Sequence, residues 1–137
     1  MKILTLYHPL FQCITFLVGV YSAWLGLTRK GFTWRKHRTS GVLYYGMGTV
    51  GLIGGLVVNG LLERTGQEIE MGLHLPVGFL MVLLFLLAGF LGFSMHRRPA
   101  LRVSLLPVHK YLNLSTLLLF IFQGISGFLE LLGFLLA

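Results

Sequence analysis

Four apolar runs, each long enough to cross a bilayer, take up nearly all of this 137-residue chain. A membrane span needs roughly 20 predominantly apolar residues. The runs read as helices over about residues 3–27, 36–62, 71–95 and 108–136. Only 11% of the residues are charged and 55% are hydrophobic, against about 25% charged in an ordinary soluble domain. So much apolar surface has no place to hide in a water-soluble core of this size. The expectation is an all-α, integral membrane, up-down four-helix bundle forming one domain over residues 1–137. Short connections make neighbours in sequence antiparallel neighbours in space. Pro107 suits the entry to the fourth helix and Pro99 blocks extension of the third. Pro9 fits a first turn better than a helix interior.

Charge gives the bundle two different ends. Residues 28–40 carry Arg29, Lys30, Arg35, Lys36 and Arg38. The segment between the third and fourth runs, with the start of the fourth, carries Arg97, Arg98, Arg102 and Lys110. The other end has Lys2 and Arg64 alone. This nine-to-two division puts the basic end in the cytoplasm by the positive-inside rule. Both termini are then outside, in the periplasm if the membrane is a bacterial inner membrane. The basic balance therefore reports topology and anionic lipid, not nucleic acid. Lys2 precedes an apolar run, but that run holds His8, Pro9 and Gln12 and no Ala-x-Ala-like site follows. No cleaved signal peptide is expected. The lone cysteine, Cys13, allows no internal disulfide, and the chain has no Cys-x-x-Cys-His motif. Cys13 is read as a small packing residue.

Five histidines fall at the ends of these runs. His8, His37, His74 and His109 each open one, and His96 closes the third. Ionisable side chains at membrane depth are rare and usually mark function. In an up-down bundle, helices one and three are diagonal, as are two and four. His8 and His74 then share the outer end, and His37 and His109 the inner end. Each diagonal pair supplies two axial imidazoles for a flat metal cofactor clamped between facing helices. A lone interfacial histidine is ordinarily a hydrogen-bonding end residue, but four at alternating ends in diagonal pairs ask for more. His96 competes with His37 and His109 at the inner end. It sits beside Arg97, Arg98 and Pro99, the context of an interfacial cap that meets lipid phosphate. His37 and His109 are each followed by a base, Arg38 and Lys110, suited to a haem propionate.

Several polar and small residues carry two readings. Gly46, Gly48, Gly51, Gly54 and Gly55 on the second run, Gly124 and Gly127 on the fourth, and Gly19 and Gly26 on the first admit either a porphyrin plane or a neighbouring backbone. Glu130 lies about 30 Å beyond His109 at 1.5 Å per residue, near the level of His8 and His74. Asn59 sits at a similar level. Either suits a quinone head group or a proton; Glu130 equally suits contact with interfacial water. Glu63, Glu68 and Glu70 make the 63–72 loop acidic, as a docking surface for a basic electron-transfer partner or as a plain solvated loop.

The segments Tyr7-His8-Pro9, His37-Arg38-Thr39-Ser40-Gly41, Leu73-His74-Leu75-Pro76-Val77-Gly78 and His109-Lys110 resemble, in order and sidedness, the cytochrome b561 superfamily. The likeness is greatest to its small four-helix members and covers nearly the whole chain. It implies two b-type haems, one near each membrane face, and electron transfer across the membrane. It maps iron ligands onto His8 and His74 for the outer haem, and onto His37 and His109 for the inner one. The expected function is a dihaem cytochrome relaying electrons between a quinone pool and a redox partner such as a periplasmic c-type cytochrome. With no soluble catalytic domain, the chain is expected to work as a homodimer or as a subunit of a larger complex. The rival reading is a non-catalytic membrane anchor or scaffold with interfacial histidines. A small transporter or proton channel lacks support, because the helix interiors have no rows of charged residues.

Overall fold

The computed structural model describes residues 2–66 and 72–136. Four helices follow in order: α1 (Lys2–Thr28), α2 (Trp34–Glu63), α3 (His74–Arg97) and α4 (Arg102–Leu136), with a 3₁₀ turn at Pro99–Leu101 before α4. All four are long and apolar enough to cross a membrane. The expected all-α four-helix bundle is what the chain forms, and the described residues contain no strand.

The helix ends differ from the sequence reading in instructive ways. α4 begins at Arg102, so Pro107 lies inside it and not at its entry. α1 runs from Lys2, so Pro9 is also internal and not in the first turn. Both lie past the four amides that lack a helical partner, so each removes one i→i−4 bond, to Thr5 and to Val103. α3 begins at His74, whose first turn contains Pro76. Its expected start at Met71, and the acidic residues Glu68 and Glu70, lie outside the described residues. α2 is capped by Thr33, whose hydroxyl accepts from the Lys36 amide at 3.2 Å, while the His37 amide donates to the Thr33 carbonyl at 3.1 Å. That cap fixes where His37 sits on the first turn of α2.

The helices pack in cyclic order. α1 packs most extensively on α2 and α3 on α4, with lesser contacts of α1 on α4 and α2 on α3. The diagonals α1/α3 and α2/α4 stay apart at backbone level. The molecule is therefore two tight hairpins facing one another across a looser seam. Its core is small and aromatic: Tyr44, Met81, Phe85 and Phe120, with Phe16 and Tyr45 against it. Tyr44 meets Phe85 edge-on at 4.9 Å, and Phe16 lies 5.7 Å from Phe120. Two hydrogen bonds join α2 to α4. The Tyr45 hydroxyl donates to Asn113 Oδ1 at 2.6 Å, and the Tyr44 hydroxyl to Thr116 Oγ1 at 3.3 Å. Large apolar residues such as Leu17, Leu86, Phe90 and Leu118 point outward on every side, which fits lipid as the surrounding solvent.

Candidate functional site

Each diagonal brings two imidazoles together, with their planes nearly perpendicular. His8 of α1 and His74 of α3 have ring centroids 6.0 Å apart, with planes at 74°. His37 of α2 and His109 of α4 have centroids 6.4 Å apart, with planes at 82°. The pairs sit at opposite ends of the bundle. Metal–nitrogen bonds of about 2 Å on each side, and about 1 Å from each nitrogen to its ring centre, put two trans imidazole centroids about 6 Å apart. Both pairs have that spacing. His96 is not with them. It is exposed and stacks on Trp34 at 5.4 Å and 18°.

Nδ1 of two rings meets a backbone carbonyl, and that of a third a hydroxyl. His37 Nδ1 pairs with the Ser22 carbonyl at 3.2 Å, and His109 Nδ1 with the Ala88 carbonyl at 3.0 Å. His74 Nδ1 lies 3.3 Å from Ser126 Oγ, beside the Gln123 carbonyl. His8 Nδ1 is buried toward the Gly51 carbonyl without a hydrogen bond of regular geometry. A histidine that commits Nδ1–H to the backbone presents an Nε2 lone pair to a metal, the usual arrangement of ligand histidines.

A glycine stands against every one of these rings. A Cβ on Gly127 would lie 2.6 Å from His74 Cε1, on Gly55 3.0 Å from His8 Cε1, on Gly26 3.1 Å from His37 Cε1, and on Gly92 3.4 Å from His109 Cε1. The four glycines occupy one register. Each follows the histidine of its own helix by 18 residues: Gly26 after His8, Gly55 after His37, Gly92 after His74, Gly127 after His109. The carbonyls facing the rings follow the same rule four residues earlier, at Ser22, Gly51, Ala88 and Gln123. Each helix thus carries a histidine near its start and a glycine seat for its neighbour's histidine nearer its end. Eighteen residues span about 27 Å of helix, so the two pairs lie near opposite faces of a bilayer core of about 30 Å. The sequence reading took the glycines helix by helix and missed this. Aligning the four runs on their histidines reveals it.

A cavity of about 750 Å³ opens around the His8–His74 pair. Gly48, Gly55, Gly78, Gly124 and Gly127 line it, along with Phe16, Phe85 and Phe120. Buried polar atoms without a hydrogen-bond partner cluster on its wall: Gln12 Oε1, Asn59 Oδ1 and Gln123 Oε1, besides His8 Nδ1. Orphaned buried polar atoms are costly and uncommon in folded proteins. Gln12 packs against Gly51, and Gln123 against Gly78. Asn59 Nδ2 donates to Glu63 Oε1 at 2.5 Å, and Glu130 lines the same cavity. Of the glycines read in two ways, Gly48 and Gly19 accept neighbouring aromatic rings, Phe85 and Tyr44, while Gly55 and Gly127 seat ligand rings.

At the other end, Asn113 reaches back over His109. Its Nδ2 donates to the His109 carbonyl at 2.7 Å and lies 3.4 Å from both ring nitrogens. Phe32 and Trp34 flank His37 at 5.6 and 6.4 Å. Arg38 and Lys110 are exposed; one residue after a ligand is about 100° round the helix, off the ligand's face.

Comparison with protein-family models, curated proteins and solved structures finds no match. What the site can hold is therefore judged from its own residues. Among those described, no group of three or more His, Cys, Asp or Glu side chains stands close enough to hold a metal ion. A zinc-type site needs three or four protein ligands. Two facing imidazoles suit a metal that brings its own equatorial ligands, as a porphyrin does. The ring spacing, the glycine seats and the cavity all fit that group.

Proposed function

We propose that the chain is a b-type dihaem membrane cytochrome resembling the small four-helix members of the cytochrome b561 superfamily. The observation that carries this reading is the pair of diagonal imidazole couples at opposite ends of the bundle, 6.0 and 6.4 Å between ring centres. His8 and His74 hold one haem b, and His37 and His109 the other. Bound there, the two groups supply one-electron chemistry near each membrane face. The chain's own part is to fix ring orientation through Nδ1, to exclude water with apolar walls, and to keep two sites about 27 Å apart along the helices.

The proposed role is electron relay between a quinone pool and a redox partner, the latter a periplasmic protein such as a c-type cytochrome. The apolar exterior supports residence in a membrane. The basic loops support a bacterial inner membrane with both termini outside. A quinone head group finds polar partners in Asn59, Gln12 and Glu130 at the rim of the His8–His74 cavity. The chain works as a homodimer or as a subunit of a larger complex.

A pyridine haemochrome assay on the purified chain tests the reading. Two haems b per chain with low-spin spectra are expected. His74→Ala should remove one and His109→Ala the other, while His96→Ala keeps both. A colourless protein leaves the histidines as interfacial residues of a non-catalytic anchor or scaffold.

A further inference from the structure

Arg29 has the backbone conformation of a glycine, with φ 60°. An L-residue is disfavoured there, and helix C-termini commonly give this position to glycine. Strain retained at a charged residue invites a functional explanation. Its guanidinium lies 4.6 Å over the Phe32 ring, and Phe32 lies 5.6 Å from the His37 ring. Arg29 follows Gly26, the glycine that seats His37, by three residues, just past the end of α1 at Thr28.

The histidine register gives Arg29 a counterpart. Arg29 follows His8 by 21 residues, and Glu130 follows His109 by 21. Glu130 stands one turn beyond Gly127, the glycine that seats His74. It lines the cavity there, with Oε1 3.4 Å from where a Cβ on Gly72 would stand, two residues before His74. The same register holds Val58 on α2 and Met95 on α3. One imidazole pair therefore has a cation at this position and the other an anion. The surrounding charge runs the same way. Nine of the eleven Lys and Arg residues lie at the His37–His109 end, and Glu63 and Glu130 at the other.

We propose that Arg29 and Glu130 set a redox polarity, holding the His37–His109 site at a higher potential than the His8–His74 site, so that an electron entering at the His8–His74 site is drawn toward the other. One-electron reduction adds a negative charge at the metal centre. A nearby guanidinium stabilises the reduced state and a nearby carboxylate the oxidised state; Arg29 is exposed and acts through water, while Glu130 is half-buried at the cavity. In the transfer, the first site loses one electron and the second gains it. No bond forms and no proton need move. This proposal rests on the dihaem reading and adds a direction to it.

Optical redox titration of the purified, haem-loaded protein tests it. The wild type should give two waves, assigned with His74→Ala and His109→Ala, and the His37–His109 wave should lie at the higher potential. Arg29→Gln should shift that wave to lower potential and leave the other in place; Arg29→Lys should retain most of the wild-type value. Glu130→Gln should raise the His8–His74 wave alone. Arg29→Gly separates charge from backbone: it relieves the strained φ and should raise thermal stability, yet lower the same wave. Waves in the opposite order, or midpoints that ignore both charge removals, overturn the polarity while the dihaem reading stands. A protein without haem overturns the dihaem reading itself.

Discussion

At each of the four histidine rings the deciding neighbour is a hydrogen atom where any other residue has a methyl. The distances rank the sites. A methyl at residue 127 must move the His74 ring, because 2.6 Å is closer than real Cβ contacts come; one at residue 92 meets His109 at an ordinary 3.4 Å. Gly127→Ala should therefore lose most of the haem absorbance of the His8–His74 site. Gly55→Ala and Gly26→Ala should each weaken one site partially, and Gly92→Ala should lose little. Haem absorbance per chain across the four variants checks the order, and a flat series would remove the glycines from the site. At this scale the sequence was half legible. Ligand histidines stand out because a titratable group in an apolar run is conspicuous. Their seats do not, since a glycine 18 residues away on the same helix serves a histidine on the next one. The cations show the same limit. Arg38, next to His37 in sequence, is exposed. Arg29 lies over Phe32, which flanks His37, by way of a left-handed turn that nothing in the local sequence announces.

Among the elements, length and apolarity fixed the number and type of helices, because a bilayer core admits few other structures. Helix ends were less legible. Pro9 and Pro107 looked like boundaries, but they are the eighth and sixth residues of longer helices, where each leaves one carbonyl near the helix start without its amide partner. What ties α2 to α4 across the bundle is polar. The Tyr45 hydroxyl donates to Asn113, whose amide lies over the His109 ring. Interhelical hydrogen bonds in membranes are worth about 0.6 kcal/mol on average and up to about 1.7. Tyr45→Phe leaves Asn113 Oδ1 without this donor, so it should destabilise the fold by about 1 kcal/mol. It should also alter the spectrum of the His37–His109 haem and not that of its counterpart. Thermal unfolding in detergent reads the first effect and low-temperature absorption spectra the second. An unchanged spectrum would confine Tyr45 to packing.

For the whole molecule, the diagonal pairing followed from helix count and connectivity alone, since four antiparallel helices with short loops have few ways to pack. Orientation rests on charge. Reporter fusions after Ala137 and within residues 31–33 should place the C-terminus outside and the α1–α2 loop in the cytoplasm. Substituting Arg35, Lys36 and Arg38 by Gln should weaken that preference, and a cytoplasmic C-terminus in the unaltered chain would exchange the faces of the two sites.

The weak seam between the hairpins has a further meaning. Every imidazole couple takes one ring from α1–α2 and one from α3–α4, so neither half owns a complete site. The direct ties across the seam are a few aromatic rings and two hydroxyl bonds. A cofactor clasped by both rings is thus a rivet through two otherwise loosely joined leaves. By mass action, such a ligand stabilises the closed form by about 4 kcal/mol at a thousand times its dissociation constant. Two rivets at opposite rims would hold the leaves in register along their whole length. On the dihaem reading, assembly and loading would then become a single event, and the unloaded chain should unfold in detergent at a lower temperature than the loaded one.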